Sequence, residues 1–285
     1  MQRGQTALIA LLVLTIATTV GLSLVARSTT DISMTRTLEE SARAFSAAEA
    51  GVEVALKTGA AITTASDSEL GTTYTAMVSA IRGTETSPLV FPSKTPAGDT
   101  TTVWLADHDA NDAIDDAFPP KYPSLSSVSV CWSKESDLEI PAIVVTILYK
   151  ESTDVSGNPY RVAKAAYDPD GARANNFSDP GAFSGGCGDG KTTYRQEITF
   201  ASFTPAIDPA ADVLIALRIR PVYYPAQLAV QPVGQQLPVQ WNQITSVGQT
   251  ASGVNRKIVV NQAYKSPSSV FDAAIYSQQD FSHLN

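Results

Sequence analysis

The sequence predicts an α+β protein: a long N-terminal membrane and amphipathic helix, then an antiparallel, β-rich, sandwich-like globular domain. Three observations predict it. Residues 5–26 (QTALIALLVLTIATTVGLSLVA) carry no charge. Residues 27–57 continue without proline and keep apolar side chains at helical spacing. Beyond Gly59 the chain turns to short apolar or alternating runs divided by turn residues.

The uncharged stretch comes first. As a helix its 22 residues reach about 33 Å at ~1.5 Å per residue, enough for a hydrocarbon core of ~30 Å. Its densest part is Ala7, Leu8, Ile9, Leu11, Leu12, Val13 and Leu14. Arg3 precedes the stretch and Arg27 follows it, so the flanking charges set no orientation. Three readings stand open. One is a cleaved secretory signal with a small-x-small site at Gly21-Leu22-Ser23, although its apolar run is longer than such signals use. The second is a plain transmembrane anchor. The third is the first half of a longer helix.

The next residues favour the longer helix. Leu38, Ala42, Phe45, Ala48, Val52 and Leu56 recur three or four apart, which gathers them on one helical face. Glu39, Arg43 and Glu53 lie on the other side, and Gly59 is a C-terminal stop. Residues 6–57 would then form a rod of about 78 Å. The apolar face is expected to pack against the protein's own domain or against neighbouring molecules.

Residues 58–120 are expected to be an irregular linker or variable region, because 87–99 (SPLVFPSKTPAGD) are rich in proline and turn residues. Residues 121–285 form the β-rich domain. Strand-sized runs fall at 125–132, 142–149, 160–167, 192–203, 213–219, 227–230, 244–248, 257–261 and 270–276. That spacing argues for an antiparallel sheet or sandwich. Gly157-Asn158-Pro159 closes a hairpin loop, and Thr250-Ala251-Ser252-Gly253 separates two further strands.

These residues resemble type IV pilin-like proteins, most nearly the PilX-type minor pilins (pseudopilins). Met1-Gln2-Arg3-Gly4 matches the short basic leader ending in glycine. The apolar run from Ala7 to Leu14 follows it, and Ala47-Ala48-Glu49-Ala50-Gly51-Val52 matches a small-residue segment of the amphipathic half. Near the other end, Gly253-Val254-Asn255-Arg256-Lys257-Ile258-Val259-Val260 and the stretch from Pro267 to Ser277 resemble the final strands of such proteins. The resemblance implies cleavage by a prepilin peptidase between Gly4 and Gln5, with methylation of the new N-terminus. It implies a single-pass helix in the cytoplasmic membrane, N-terminus cytoplasmic, and later display at the cell surface. Its partners would be other pilin subunits and the assembly machinery of that membrane. Cleavage leaves 285 − 4 = 281 residues and, with Arg3 gone, a side-chain charge of −8 − 1 = −9.

Two positions depart from the family. Gln5 stands where most pilins have phenylalanine, and Ile9 where most have glutamate. In a filament that glutamate is thought to neutralise a neighbour's N-terminal amine inside an apolar bundle, where an unpaired charge is costly. A subunit at the tip has no neighbour ahead of it. The expectation is therefore a minor, tip-located or priming subunit. A divergent major subunit, a signal-anchored surface adhesin unrelated to pili, and a secreted hydrolase are the alternatives.

Composition points away from catalysis. Net charge is −8 and 17 % of residues are charged, against ~25 % in an average soluble domain. Two Cys and two His would all have to converge for a zinc site of the common kind. No Walker A, GxSxG, HExxH or CxxC pattern occurs, so no enzyme and no cofactor are expected. Arg218, Arg220, Arg256 and Lys257 would suit DNA only if folding made them one patch.

Cys131 continues the alternating run Ser127-Val128-Ser129-Val130, on the serine face. Cys187 lies in Gly185-Gly186-Cys187-Gly188. In an exported domain the two are disulfide candidates, and a bond closing so long a loop contributes roughly 3–4 kcal/mol in the entropic account. Two free thiols are the alternative. Asp107, Asp109 and Asn111 set oxygen atoms at alternate positions and are weak calcium candidates. The EF-hand glycine and final glutamate are replaced by Asp112 and Phe118, which favours a solvated acidic loop. Asp168-Pro169-Asp170-Gly171 is expected to turn, and Asn176-Phe177-Ser178 fits a glycosylation sequon. Tyr149, Tyr160 and Tyr167 are expected to pack a strand face rather than bind sugar.

Overall fold

A computed structural model describes residues 3–68, 70–109, 111–133, 139–154, 157–181 and 185–269, with side chains from residue 8 onward. Its elements are α1 (Arg3–Thr58), β1 (Ile62–Asp67), β2 (Thr72–Ile81), β3 (Leu89–Val90), β4 (Thr101–Trp104), β5 (Ser127–Trp132), β6 (Ala142–Lys150), β7 (Tyr160–Tyr167), β8 (Tyr194–Thr199), a 3-10 turn (Phe200–Ser202), β9 (Val213–Val222), β10 (Leu228–Val233), β11 (Trp241–Thr250) and β12 (Asn255–Ala263). One long apolar helix followed by antiparallel sheets is the α+β arrangement the sequence predicts. The chain divides into two compact units, Met1–Ser79 with Gln243–Asn261, and Ala80–Asn242 with Gln262–Asn285.

The first unit holds α1 and most of a four-stranded sheet in the order β1-β2-β11-β12. β1 and β2 pair antiparallel, with Asp67 opposite Thr72 and Ala65 opposite Tyr74, and the register shifts between Ile62 and Ala65. The core here is small. Val52 and Ala55 of the helix meet Ala76 and Ile244 of the sheet, flanked by half-buried Ile62, Val78, Ile258 and Val260.

The second unit is built on two four-stranded sheets, β3-β10-β5-β8 and β4-β9-β6-β7. Alternation explains which side chains go inward, because successive side chains of a strand point to opposite faces. Val128, Val130 and Trp132 of β5 join Leu228 and Val230 of β10, and Ile143, Val145, Ile147 of β6 join Leu217 and Ile219 of β9, in one buried apolar cluster. Every residue of β5 is buried. Its serine face is covered because the Arg195 Nε–H donates to Ser129 Oγ (3.1 Å) and the Ser127 hydroxyl donates to Glu197 Oε1 (2.5 Å). The Trp132 indole N–H donates to Pro141 O (2.9 Å), so its polar edge is satisfied inside the core.

Residues 58–120 are not the irregular linker the sequence suggests, since β1 to β4 lie there. β1 and β2 are rich in Thr and Ser, residues that read as loop until the β-branching of threonine is weighed. β3 and β4 are only two and four residues long and leave little periodicity to see. Further along, β7 has the expected bounds, and β5, β6 and β8 to β12 fall on the expected runs. The run at 270–276 lies outside the described residues.

Candidate functional site

α1 has 56 residues and is about 84 Å long at ~1.5 Å per residue. Among the described residues it is the one helix long and apolar enough to cross a membrane. Gly4 and Gln5, the expected processing pair, lie in its first turns. The side chain of Ala7 is outside the described set. Leu8, Ile9, Leu11, Leu12, Val13 and Leu14 are all exposed, between 52 % and 68 %. The polar residues of this half do not need water. Thr15 donates its hydroxyl to Leu12 O (2.8 Å), Thr18 to Leu14 O (2.9 Å) and Thr19 to Thr15 O (2.9 Å). Hydroxyls bonded back onto the helix are compatible with a lipid surround, where an unpaired polar group is costly.

The second half of α1 is seated on the sheet through its smallest residues. Ala44, Ala47, Ala48, Val52 and Ala55 are buried, with Gly51 among them. Of the six residues expected to form the packing face, Ala48 and Val52 belong to this seat. Leu38, Ala42, Phe45 and Leu56 are exposed in the single chain. The buried stripe is turned round the helix from the expected one, and the reason is close approach. A Cβ on Gly248 of β11 would stand 2.1 Å from Ala44 O and 2.5 Å from Ala48 N, and a Cβ on Gly51 would stand 2.3 Å from Ser246 Oγ. At Gly248 helix and strand touch backbone to backbone, and no side chain fits there. Around the seat Arg256 Nε–H donates to Ser41 Oγ (2.7 Å), and the Ser252 hydroxyl donates to Glu40. Arg43 pairs with Glu39 (2.7 Å) on the exposed side.

Cys131 and Cys187 are joined, with Cα atoms 5.7 Å apart. The bond ties the glycine-rich loop to the outer face of β5, beside Ala229 and Val90. With both thiols in the bond, no four-ligand Cys/His zinc site can form.

The acidic loop is neutralised from within. Asp107 accepts the Tyr122 hydroxyl (2.7 Å) and lies 3.6 Å from Lys121 Nζ; Asp115 lies 2.5 Å from the same ammonium. Asp109 Oδ1 accepts the backbone N–H groups of Asn111 (2.8 Å) and Ala113 (2.9 Å), which hold its carboxyl below the usual range. Burial, and then Asp107, push the Tyr122 phenol well above its ordinary value. Asp107 is therefore bound by Tyr122 and Lys121, and Asp109 by the turn that contains Asn111. Among the described residues no three His, Cys, Asp or Glu are grouped to hold a metal.

The remaining candidates are structural. Asp168 is buried, accepts Arg173 Nη1 (3.0 Å) and Asn175 Nδ2 (2.6 Å), and its Oδ1 takes the Asp170 N–H (2.9 Å); the backbone turn itself falls two residues later than expected, with Arg173 N–H on Asp170 O (3.1 Å). Tyr149 belongs to the main core cluster and Tyr167 packs against it, whereas Tyr160 is exposed and donates to Asp116 Oδ2 (2.7 Å). Arg218 is buried and donates to Thr102 and to the carbonyls of Pro267 and Ser268. Asn176 is exposed in a left-handed turn (φ 58°). Two features had no sequence signal: the glycine contact at Gly248, and the stacking of Tyr264 on His108.

Comparison with protein-family models, characterised proteins and solved structures finds no match.

Proposed function

We propose that the chain is a minor pilin or pseudopilin, a subunit of a type IV pilus or a related secretion filament. Its role is assembly or capping, not catalysis. α1 anchors it in the cytoplasmic membrane with the N-terminus inside, a prepilin peptidase removes residues 1–4, and the β units are displayed outside. Other pilin subunits and the assembly machinery of the membrane are its partners. One observation carries this reading. A single unbroken helix has a first half that exposes an uncharged, largely apolar surface from Leu8 to Ala26 and a second half built into a sheet by backbone contact. A signal that is cut away near Ser23 has no use for that continuity. Exposed Leu38, Phe45 and Leu56 remain available to neighbouring helices.

Ile9 in place of a glutamate supports a tip or priming position. We also infer that the two sheets of the second unit pack as a sandwich, because one apolar cluster draws side chains from both. Immunogold labelling of sheared filaments tests the assignment. Label at filament ends is expected; uniform label along the shaft refutes the tip role, and filaments free of label refute the filament assignment.

A further inference from the structure

We propose that His108 is the pin of an acid-sensitive latch. It holds the segment Tyr264–Ser268 over β4 and β9 at neutral pH, and the Tyr264 ring is released on mild acidification.

The geometry is local to the second unit. The His108 ring lies flat on the Tyr264 ring, with centroids 4.0 Å apart and planes 7° apart, and edge-on to Trp104 at 4.4 Å. Tyr264 in turn covers an apolar row made by Trp104, Ile215, Ala216 and Leu148. His108 Nδ1 is shielded from water and has no hydrogen-bond partner. In the neutral imidazole that nitrogen is an idle acceptor. In the imidazolium it is a charged donor with nothing to receive it, which is the costlier state.

One side of the stack is fixed and the other is not. Gln240 accepts the Trp104 backbone N–H and donates to the Trp104 carbonyl, each at 2.8 Å. The His108 loop is closed by Asp115 N–H on Asp107 O (2.8 Å) and Asp109 N–H on Ala113 O (2.9 Å). Tyr264, by contrast, is held by its ring. The next contact, Lys265 to Asp112 at 3.7 Å, is an exposed pair of little weight. Arg218 grips Pro267 O (3.0 Å) and Ser268 O (3.3 Å). Losing the stack therefore frees the Tyr264 ring and the short stretch between the end of β12 at Ala263 and the Arg218 tether.

The charges around the ring oppose release and must be weighed. Asp107, Asp109 and Asp112 on the same loop favour the cation, as do the ring faces of Trp104 and Tyr264. Asp107 is already answered by Tyr122 and Lys121 and Asp109 by its own turn, whereas Asp112, only weakly paired with Lys265, is the strongest of the three. Arg82 adds a positive charge near Tyr122 and Tyr264. Burial is the largest effect and holds His108 below its ordinary 6.5. A folded value below the open-state value means that the closed form weakens as pH falls through 6.5 and is secure above it.

A nitroxide on Ser266→Cys tests the latch in the full chain in detergent. Ser266 is exposed and the two native cysteines are bonded to each other, so labelling is unique. The expected spectrum is immobilised near about pH 7.5 and mobile near about pH 5.5, reversibly. In His108→Phe, which keeps a ring but no titrating nitrogen, the label stays immobilised at both. In Tyr264→Ala it is mobile at both. An unchanged native spectrum across that range, or the same transition in His108→Phe, overturns the proposal.

Discussion

Gly248→Ala is the sharpest probe of how the helix is seated. The new Cβ would stand 2.1 Å from Ala44 O, 2.5 Å from Ala48 N and 3.0 Å from Ala47 Cβ. Two of those atoms are backbone, so no rotamer change relieves the clash. α1 and β11 must separate by about 1 Å, and the seat from Ala44 to Ala55 loses much of its close contact. Overpacking costs ~1–3 kcal/mol, and the rigid obstacle puts this case near ~3 kcal/mol. Gly51→Ala is the control. Its nearest obstacle is Ser246 Oγ at 2.3 Å, the end of a side chain that can rotate, although the hydroxyl gives up its bond to Thr75 O. That variant should cost about 1 kcal/mol. Hydrogen exchange of β11 amides in the full chain reads the difference, because local opening sets their rates. At ~1.4 kcal/mol per factor of ten, Gly248→Ala should exchange about 100-fold faster than the native chain, and Gly51→Ala about 5-fold. Exchange in Gly248→Ala within about twofold of native, or slower than in Gly51→Ala, would refute backbone-to-backbone seating.

Three further outcomes are expected. Cys131→Ala with Cys187→Ala opens a loop of separation 56 and should lower the unfolding free energy by about 4 kcal/mol, read from urea titrations by Trp fluorescence; an unchanged midpoint would count against a stabilising bond. Arg173→Met strips the buried Asp168 carboxylate of its cation and should cost ~3–5 kcal/mol, with Asp168→Asn in the same chain recovering part of it. Lys121 is the first cause holding the Asp115 carboxyl below its usual value. Lys121→Met should raise the Asp115 midpoint in an NMR titration, so the carboxylate that native protein keeps ionised down to lower pH is protonated earlier on acidification; an unmoved midpoint removes that cause.

What could be read from the sequence followed the strength of local signals. β7 was legible to its ends because alternation runs cleanly from Tyr160 to Tyr167, between Pro159 and Asp168-Pro169. The serine-face position of Cys131 was legible for the same reason, and that face is where Cys187 meets it. The helix was legible but its buried stripe was not. Periodicity weighs large apolar residues, and this interface selects Ala and Gly because backbones meet. Thr and Ser hid β1 and β2. The Asp107–Asn111 alternation suggested a cation, but Tyr122, Lys121 and two backbone N–H groups answer those carboxylates. That compensation comes from residues that share no pattern with the loop. The His108–Tyr264 stack joins a loop after β4 to a segment after β12, and no local spacing announces such a pair.

The central claim is that α1 is kept whole as the stem of an assembling subunit after its leader is removed. Intact mass and N-terminal sequencing of the chain recovered from its native membrane test it most directly. The account predicts a mature chain of 285 − 4 = 281 residues, beginning at Gln5. A chain that still begins at Met1, or one cut near Ser23, contradicts it.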